Sequence, residues 1–147
     1  MKKRNKDFNK FFLELANKVG EMSTCDRGNV GCILVKDRQI LSTGYAGSPS
    51  GLPHCDKVGH LMKDGHCIRT VHAEQNAIIQ AAKHGVSIEG SIAYVSMVPC
   101  FNCTKMLINA GIKEIFAANN YKDTILTCRF LKEAGIKLTI VNKSLRY

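Results

Sequence analysis

An α/β protein with a mixed sheet flanked by helices is predicted by three features of the sequence. Two β-rich runs, residues 30–35 and 39–44, are separated only by Lys36-Asp37-Arg38, short enough for a hairpin turn. Downstream, helix-like and strand-like segments alternate as β-α-β-α-β, which calls for a sheet covered by helices. The 147 residues are 45% hydrophobic and 22% charged, without an internal repeat or a Pro/Ser-rich linker, so one domain with a real core is expected over 1–147.

The elements follow in order. Phe8, Phe11, Phe12, Leu15 and Val19 fall at helical spacing, predicting an amphipathic first helix over about 5–20 that ends at Gly20. After the hairpin, residues 46–70 form a long irregular stretch carrying Gly47, Pro49, Gly51, Pro53, Gly59 and Gly65. It is too long for a plain connector, so it is functional or pinned by something. A helix is predicted over 72–83, where Ala73, Ala77, Ala81 and Ala82 recur and Gly85 lies just beyond. A strand at 92–97, a helix at 100–110 ended by Gly111 and a strand at 112–117 come next. A helix near 125–134 with Gly135 and a strand at 137–141 complete the rhythm.

Composition excludes several classes. An ordinary apolar fraction rules out low-complexity disorder. The longest apolar runs, such as Cys32-Ile33-Leu34-Val35, fall far short of the roughly 18 residues a membrane-spanning helix needs. Phe11-Phe12-Leu13 is interrupted by Glu14, so no secretory apolar region forms and a cytoplasmic location is expected. There disulfides are rare, and the seven cysteines read as metal ligands or buried thiols. The formal charge of +9, partly from a basic cluster over 1–10, suits anionic partners such as nucleotides. Charge alone does not separate a small nucleotide from a polymer.

The chemistry concentrates in His72-Ala73-Glu74 and Pro99-Cys100-Phe101-Asn102-Cys103. Cys100 and Cys103 are three apart at a helix start, so they share a face, and the helix N-terminus favours their thiolate form. By themselves they fit a structural zinc or a redox pair. With His72 they make three zinc ligands, and three protein ligands leave a fourth position open for water, as in a catalytic site. Glu74, two residues after His72, points elsewhere on the helix and is expected to act as the proton carrier. His-x-Glu followed by Pro-Cys-x-x-Cys is the signature of the zinc deaminases.

The sequence resembles the cytidine deaminase superfamily, and within it the deoxycytidylate (dCMP) deaminases, including the bacterial competence-associated branch. The resemblance covers roughly residues 25–141. It rests on Val30-Gly31, on the loop Gly44-Tyr45-Ala46-Gly47-Ser48-Pro49, on the run from His66-Cys67 to Ile78, on the Cys100 motif, and on Ala110-Gly111-Ile112-Lys113 and Tyr121. It implies a three-layer α/β/α cytidine-deaminase-like sandwich and hydrolysis of dCMP to dUMP and ammonia. It further implies a homo-oligomer, often a hexamer, under allosteric control by dCTP and dTTP, with Mg2+ accompanying a nucleotide effector. By the same resemblance Ala73 offers its backbone N–H to the cytosine carbonyl, Tyr121 packs near the nucleotide, and Arg27 helps hold phosphate. In one departure, Ala46 stands where the family usually has Asn, which removes a side-chain donor and acceptor. Backbone N–H groups around Gly44 and Gly47 remain to meet an effector phosphate.

A second, structural zinc is expected to pin the irregular stretch to the end of the first helix, offsetting the entropy of ordering it. The resemblance supports Cys25 and Cys55; Cys25, Cys55, His66 and Cys67 are the favoured set, with His60 a close substitute. Cys32 and Cys128 read as small buried hydrophobes. Two other functions fit the sequence less well. A tRNA adenosine or nucleic-acid cytosine deaminase suits the basic charge, but Thr104-Lys105 follows Cys103 where the tRNA enzymes often have Gly-Ala. A catalytically silent zinc scaffold or DNA-uptake accessory has no need of the intact Glu74.

Overall fold

A computed structural model describes residues 6–145, so the first five positions of the expected basic cluster lie outside the described residues. Helix α1 (Phe8–Gly20) begins where the Asp7 side chain accepts the Lys10 backbone N–H at 3.0 Å. Strands β1 (Gly31–Lys36) and β2 (Gln39–Tyr45) pair antiparallel. Their two-residue turn, Asp37-Arg38, has positive φ at both positions (50° and 62°), the handedness that matches strand twist. Lys36 therefore belongs to the strand, paired with Gln39.

The irregular stretch holds three short elements that the sequence reading left out: α2 (Cys55–Val58), β3 (Met62–Lys63) and β4 (His66–Cys67). Helix α3 (Ala73–Lys83), β5 (Ile92–Met97), α4 (Phe101–Asn109), β6 (Glu114–Asn120), α5 (Ile125–Glu133) and β7 (Lys137–Leu145) follow the expected order. The last strand runs four residues past its predicted end.

The main sheet has the order β2-β1-β5-β6-β7. β1 is antiparallel to both β2 and β5, whereas β5, β6 and β7 are parallel, giving the mixed sheet. Alternate residues of β1 go to opposite faces, as the pleat requires. Ile33 and Val35, with Tyr94 of β5, meet Phe12, Leu13 and Ala16 of α1. Cys32 and Leu34, with Val95 of β5 and Ile115 of β6, meet Ala77 and Ala81 of α3, Leu107 of α4 and Leu131 of α5. The result is the three-layer α/β/α arrangement. Leu34, Leu107, Ile115 and Leu131 are all 1% exposed or less, and each such burial contributes roughly 1.5–3 kcal/mol. None of the described helices is long and apolar enough to cross a membrane.

This framework carries the chemistry to one place. Central strand β5 ends at Met97, and Val98-Pro99 leads from it to Cys100, the residue before α4. His72 holds the equivalent position before α3. Two helix N-termini are thus brought together at the carboxyl end of the central strand.

Candidate metal centre and active-site cleft

His72 lies outside the helical φ/ψ region, and its backbone N–H is accepted by Gln75 Oε1 at 2.9 Å. That leaves the imidazole free to face α4. Its Nδ1 is 3.5 Å from Cys100 Sγ and 3.4 Å from Cys103 Sγ. Tetrahedral zinc with its usual bond lengths requires an N···S edge of about 3.6 Å. The three atoms therefore already have the spacing of ligands around one ion. They form one of two groups of potential metal donors found among the described residues.

Protonation states at this trio are tightly linked. Hydrogen bonding to Cys103 holds the Cys100 thiol down at about 4, with further help from His72 against the effect of burial. Cys103 moves the opposite way, raised by its hydrogen bond to Cys100 and by burial. The hydrogen bond to Cys100 raises His72. A sulfur held toward its thiolate form beside an imidazole nitrogen is the chemistry of a site for a divalent ion.

Glu74 is only 4% exposed, and burial pushes its carboxyl above the usual carboxylate range. It hydrogen-bonds with Cys103 and stands outside the trio as a separate carboxyl group. His72, Ala73, Glu74 and Cys100 line one cleft together with Arg27 and Tyr121. Ala73 is the first residue of α3, where a backbone N–H has no acceptor within the helix. Tyr121 is half-buried, with its hydroxyl 3.2 Å from His66 Nδ1. Arg27 is exposed and donates from Nη2 to Gly65 O at 3.1 Å.

The second donor group is Cys25, Cys55, His60 and Cys67. His60 Nδ1 is 3.5 Å from Cys25 Sγ, and the Cys55 and Cys67 sulfurs are 3.7 Å apart. A tetrahedral zinc site calls for an S···S edge of about 3.8 Å. Asp26 Oδ1 holds the other ring nitrogen of His60 at 3.1 Å, a carboxylate–histidine arrangement typical of metal ligands. Against the effect of burial, backbone N–H groups of Arg69 and Leu61 and the side chain of His60 bring the Cys67 thiol down to about 6.

This set corrects the expectation that His66 joins Cys67 around the ion. The two are consecutive on β4, and successive strand residues point to opposite sides. Cys67 faces the cluster, while His66 turns to Tyr121 at the cleft. The sequence reading missed that position for His66 and the support Asp26 gives His60. It also missed Lys122, which lines the cleft beside Tyr121.

Other expectations change as well. Gly44 and Gly47 line a separate groove, but the Gly47 N–H already donates to Val71 O at 3.1 Å and is not spare for a phosphate. Gly44 packs against the backbone of Ala73 and Ala77 in α3. Neither donor group includes a carboxylate, so neither suits Mg2+, which prefers oxygen ligands. Cys32 is fully buried as expected, but Cys128 is exposed.

Residues 6–119 match the family model for the cytidine and deoxycytidylate deaminase zinc-binding region. The chain is 40% identical over 129 residues to ComE operon protein 2 of Bacillus subtilis, covering 88% of this chain and 68% of that protein. It is 32% identical to the deoxycytidylate deaminase of Enterobacteria phage T2, covering 89% and 90%. It spans only 42% of the deoxycytidylate deaminase of Schizosaccharomyces pombe, to which it is 30% identical over 87% of its own length. The crystal structure of a cyanophage S-TIM5 dCMP deaminase in complex with dCMP and dUMP superposes with a TM-score of 0.78 at 31% identity, covering 95% of this chain and 98% of that one. With a His72–Cys100–Cys103 donor trio and a buried glutamate in its cleft, the chain belongs to the cytidine and deoxycytidylate deaminase family.

Proposed function

We propose that this protein is a zinc-dependent hydrolase that converts dCMP and water to dUMP and ammonia, with residues 1–147 acting as one deaminase domain. The observation that carries this reading is the buried carboxyl of Glu74 beside a three-donor group lining an open cleft. The dCMP- and dUMP-bound cyanophage relative supports the choice of substrate.

In this reading His72, Cys100 and Cys103 hold zinc, which when bound supplies the Lewis acidity that makes water a nucleophile near neutral pH. Glu74 takes a proton from the attacking water and delivers it to a ring nitrogen, then assists departure of the amine as ammonia. Burial favours this by raising the carboxyl's affinity for a proton above that of an ordinary carboxylate. The Ala73 N–H donates to the cytosine carbonyl. Tyr121 packs beside the nucleotide, and Arg27 pairs with its phosphate. Cys25, Cys55, His60 and Cys67 hold a second, structural zinc.

The family resemblance further supports a homo-oligomer, a hexamer, responsive to dCTP and dTTP. The groove containing Gly44 and Gly47 also contains Lys83, His54 and His84, basic groups suited to a nucleotide effector.

The test is ammonia release from cytidine, deoxycytidine, CMP, dCMP, dCTP and a tRNA anticodon stem-loop, with zinc content measured in parallel. dCMP should be the preferred substrate. Glu74→Gln should retain zinc but lose about 10²–10⁴-fold in rate, the usual contribution of a positioned acid/base. Turnover of the RNA alone, or a fully active Glu74→Gln variant, would overturn the proposal.

A further inference from the structure

The second donor group is built into the wall of the cleft. Cys25 and Cys67 both line the cleft and belong to that group. Two of the cleft's basic side chains are tied to the same chain segments: Arg27 lies two residues after Cys25, and His66 immediately precedes Cys67. The two segments also meet directly, because Arg27 Nη2 donates to Gly65 O at 3.1 Å. His66 reaches across to Tyr121 Oη at 3.2 Å.

Beyond these contacts the segment is held by Ile68 N–H donating to Leu61 O at 2.8 Å, by Arg69 Nε donating to Gly59 O at 3.2 Å, and by a short hairpin. β3 and β4 are two residues each and pair through only Met62↔Cys67 and Lys63↔His66. Met62, Lys63, Asp64, Gly65 and His66 are all exposed, so the hairpin has no core beneath it. A two-stranded hairpin of this kind is marginal in water without such support. Cys55 arrives on α2, a four-residue helix, and is buried at 4% exposure. The donor cluster is therefore the main anchor of the segment that presents His66 and receives Arg27.

We propose that the Cys25–Cys55–His60–Cys67 group, when it holds its metal, sets the selectivity of the cleft for a substrate bearing a phosphate, with His66 as a specificity-determining side chain beside Arg27. The strand pleat gives the division of labour: Cys67 binds inward, and the adjacent His66 faces the ligand. The metal fixes the backbone of both segments, so the two basic groups are held in position before the nucleotide arrives. Preorganised charge-assisted hydrogen bonds would then favour dCMP over its nucleoside. The inference rests on the reading of the cleft as a nucleotide site and adds to it a requirement for the second metal.

The experiment uses the full chain carrying Glu74→Gln, so that ligands bind without turnover. Calorimetric affinities for dCMP and deoxycytidine are measured alongside zinc per chain. Cys55→Ser, at a residue that does not line the cleft, should lose one zinc and lower the dCMP-to-deoxycytidine affinity ratio roughly tenfold, the scale of one hydrogen bond to a charged group. His66→Ala should lower that ratio similarly with both zinc ions retained. An unchanged ratio in His66→Ala, or in zinc-depleted Cys55→Ser, would overturn the proposal. If Cys55→Ser does not fold, the His66→Ala result decides whether that side chain reads phosphate. Deamination of dCMP by the unaltered chain tests the proposed activity separately, so either idea can fail alone.

Discussion

Replacing Thr127 with Val should destabilise the protein more than replacing Thr104 with Val, although both hydroxyls are buried and hydrogen-bonded to one another at 3.2 Å. Thr127 Oγ1 donates to Pro99 O at 3.2 Å. Thr104 Oγ1 donates to Cys100 O at 3.0 Å, but that oxygen also accepts the Thr104 backbone N–H at 2.9 Å. Thr104→Val therefore leaves Cys100 O with a partner, and Thr127 keeps Pro99 O. Thr127→Val removes the side-chain donor from a carbonyl in the buried turn that introduces the metal-binding helix. An orphaned buried acceptor costs about 1–3 kcal/mol, against about 1 kcal/mol or less for losing a hydrogen bond whose acceptor retains another. For a domain of this size a loss of about 1–3 kcal/mol corresponds to a fall in Tm of about 2–12 °C. Urea unfolding and thermal melts of the zinc-loaded variants would measure the difference. Equal destabilisation, or a larger loss in Thr104→Val, would refute the reasoning.

Two further outcomes follow from the packing and the metal clusters. Asp26→Ala should weaken zinc binding at the second cluster by about 10–100-fold, because it removes the carboxylate that orients His60. Chelator competition should show this loss while the ion of the His72 trio stays bound. Gly44→Ala should destabilise by about 1–3 kcal/mol or more, since the added methyl meets the backbone of Ala73 and Ala77 rather than a flexible side chain. Denaturant titration would show it, and a neutral result would mean that α3 can move away from β2 easily.

The grouping of His72, Cys100 and Cys103 was legible in the sequence because its members sit at helix starts, where spacing determines direction. Cys100 caps α4 and Cys103 lies in its first turn, so the two sulfurs meet at one helix start, and His72 precedes a helix of its own. The layered sheet was legible for a similar reason, since regular periodicity marks its strands and helices. Residues 46–70 offered no such repeat, and choosing between His60 and His66 there required the path of the backbone. A local signal was nevertheless available. Asp64-Gly65 is a strong hairpin dipeptide, and both residues have positive φ, 49° and 78°, as a tight strand-matching turn requires. Recognising that turn would have placed His66 and Cys67 on one strand and so on opposite faces. The hydroxyl pair of Thr104 and Thr127 left no comparable mark, because its members are distant in sequence and meet only when α4 packs on α5.

The positions of the two donor groups along the chain also bear on biosynthesis. All four residues of the second group lie at or before Cys67, whereas the trio is incomplete until Cys103 has been made. A ribosome therefore exposes the second set first, before β5 emerges to pair with β1. Metal captured at that stage would close the 25–67 segment into a loop and reduce the chain entropy still to be lost during later assembly.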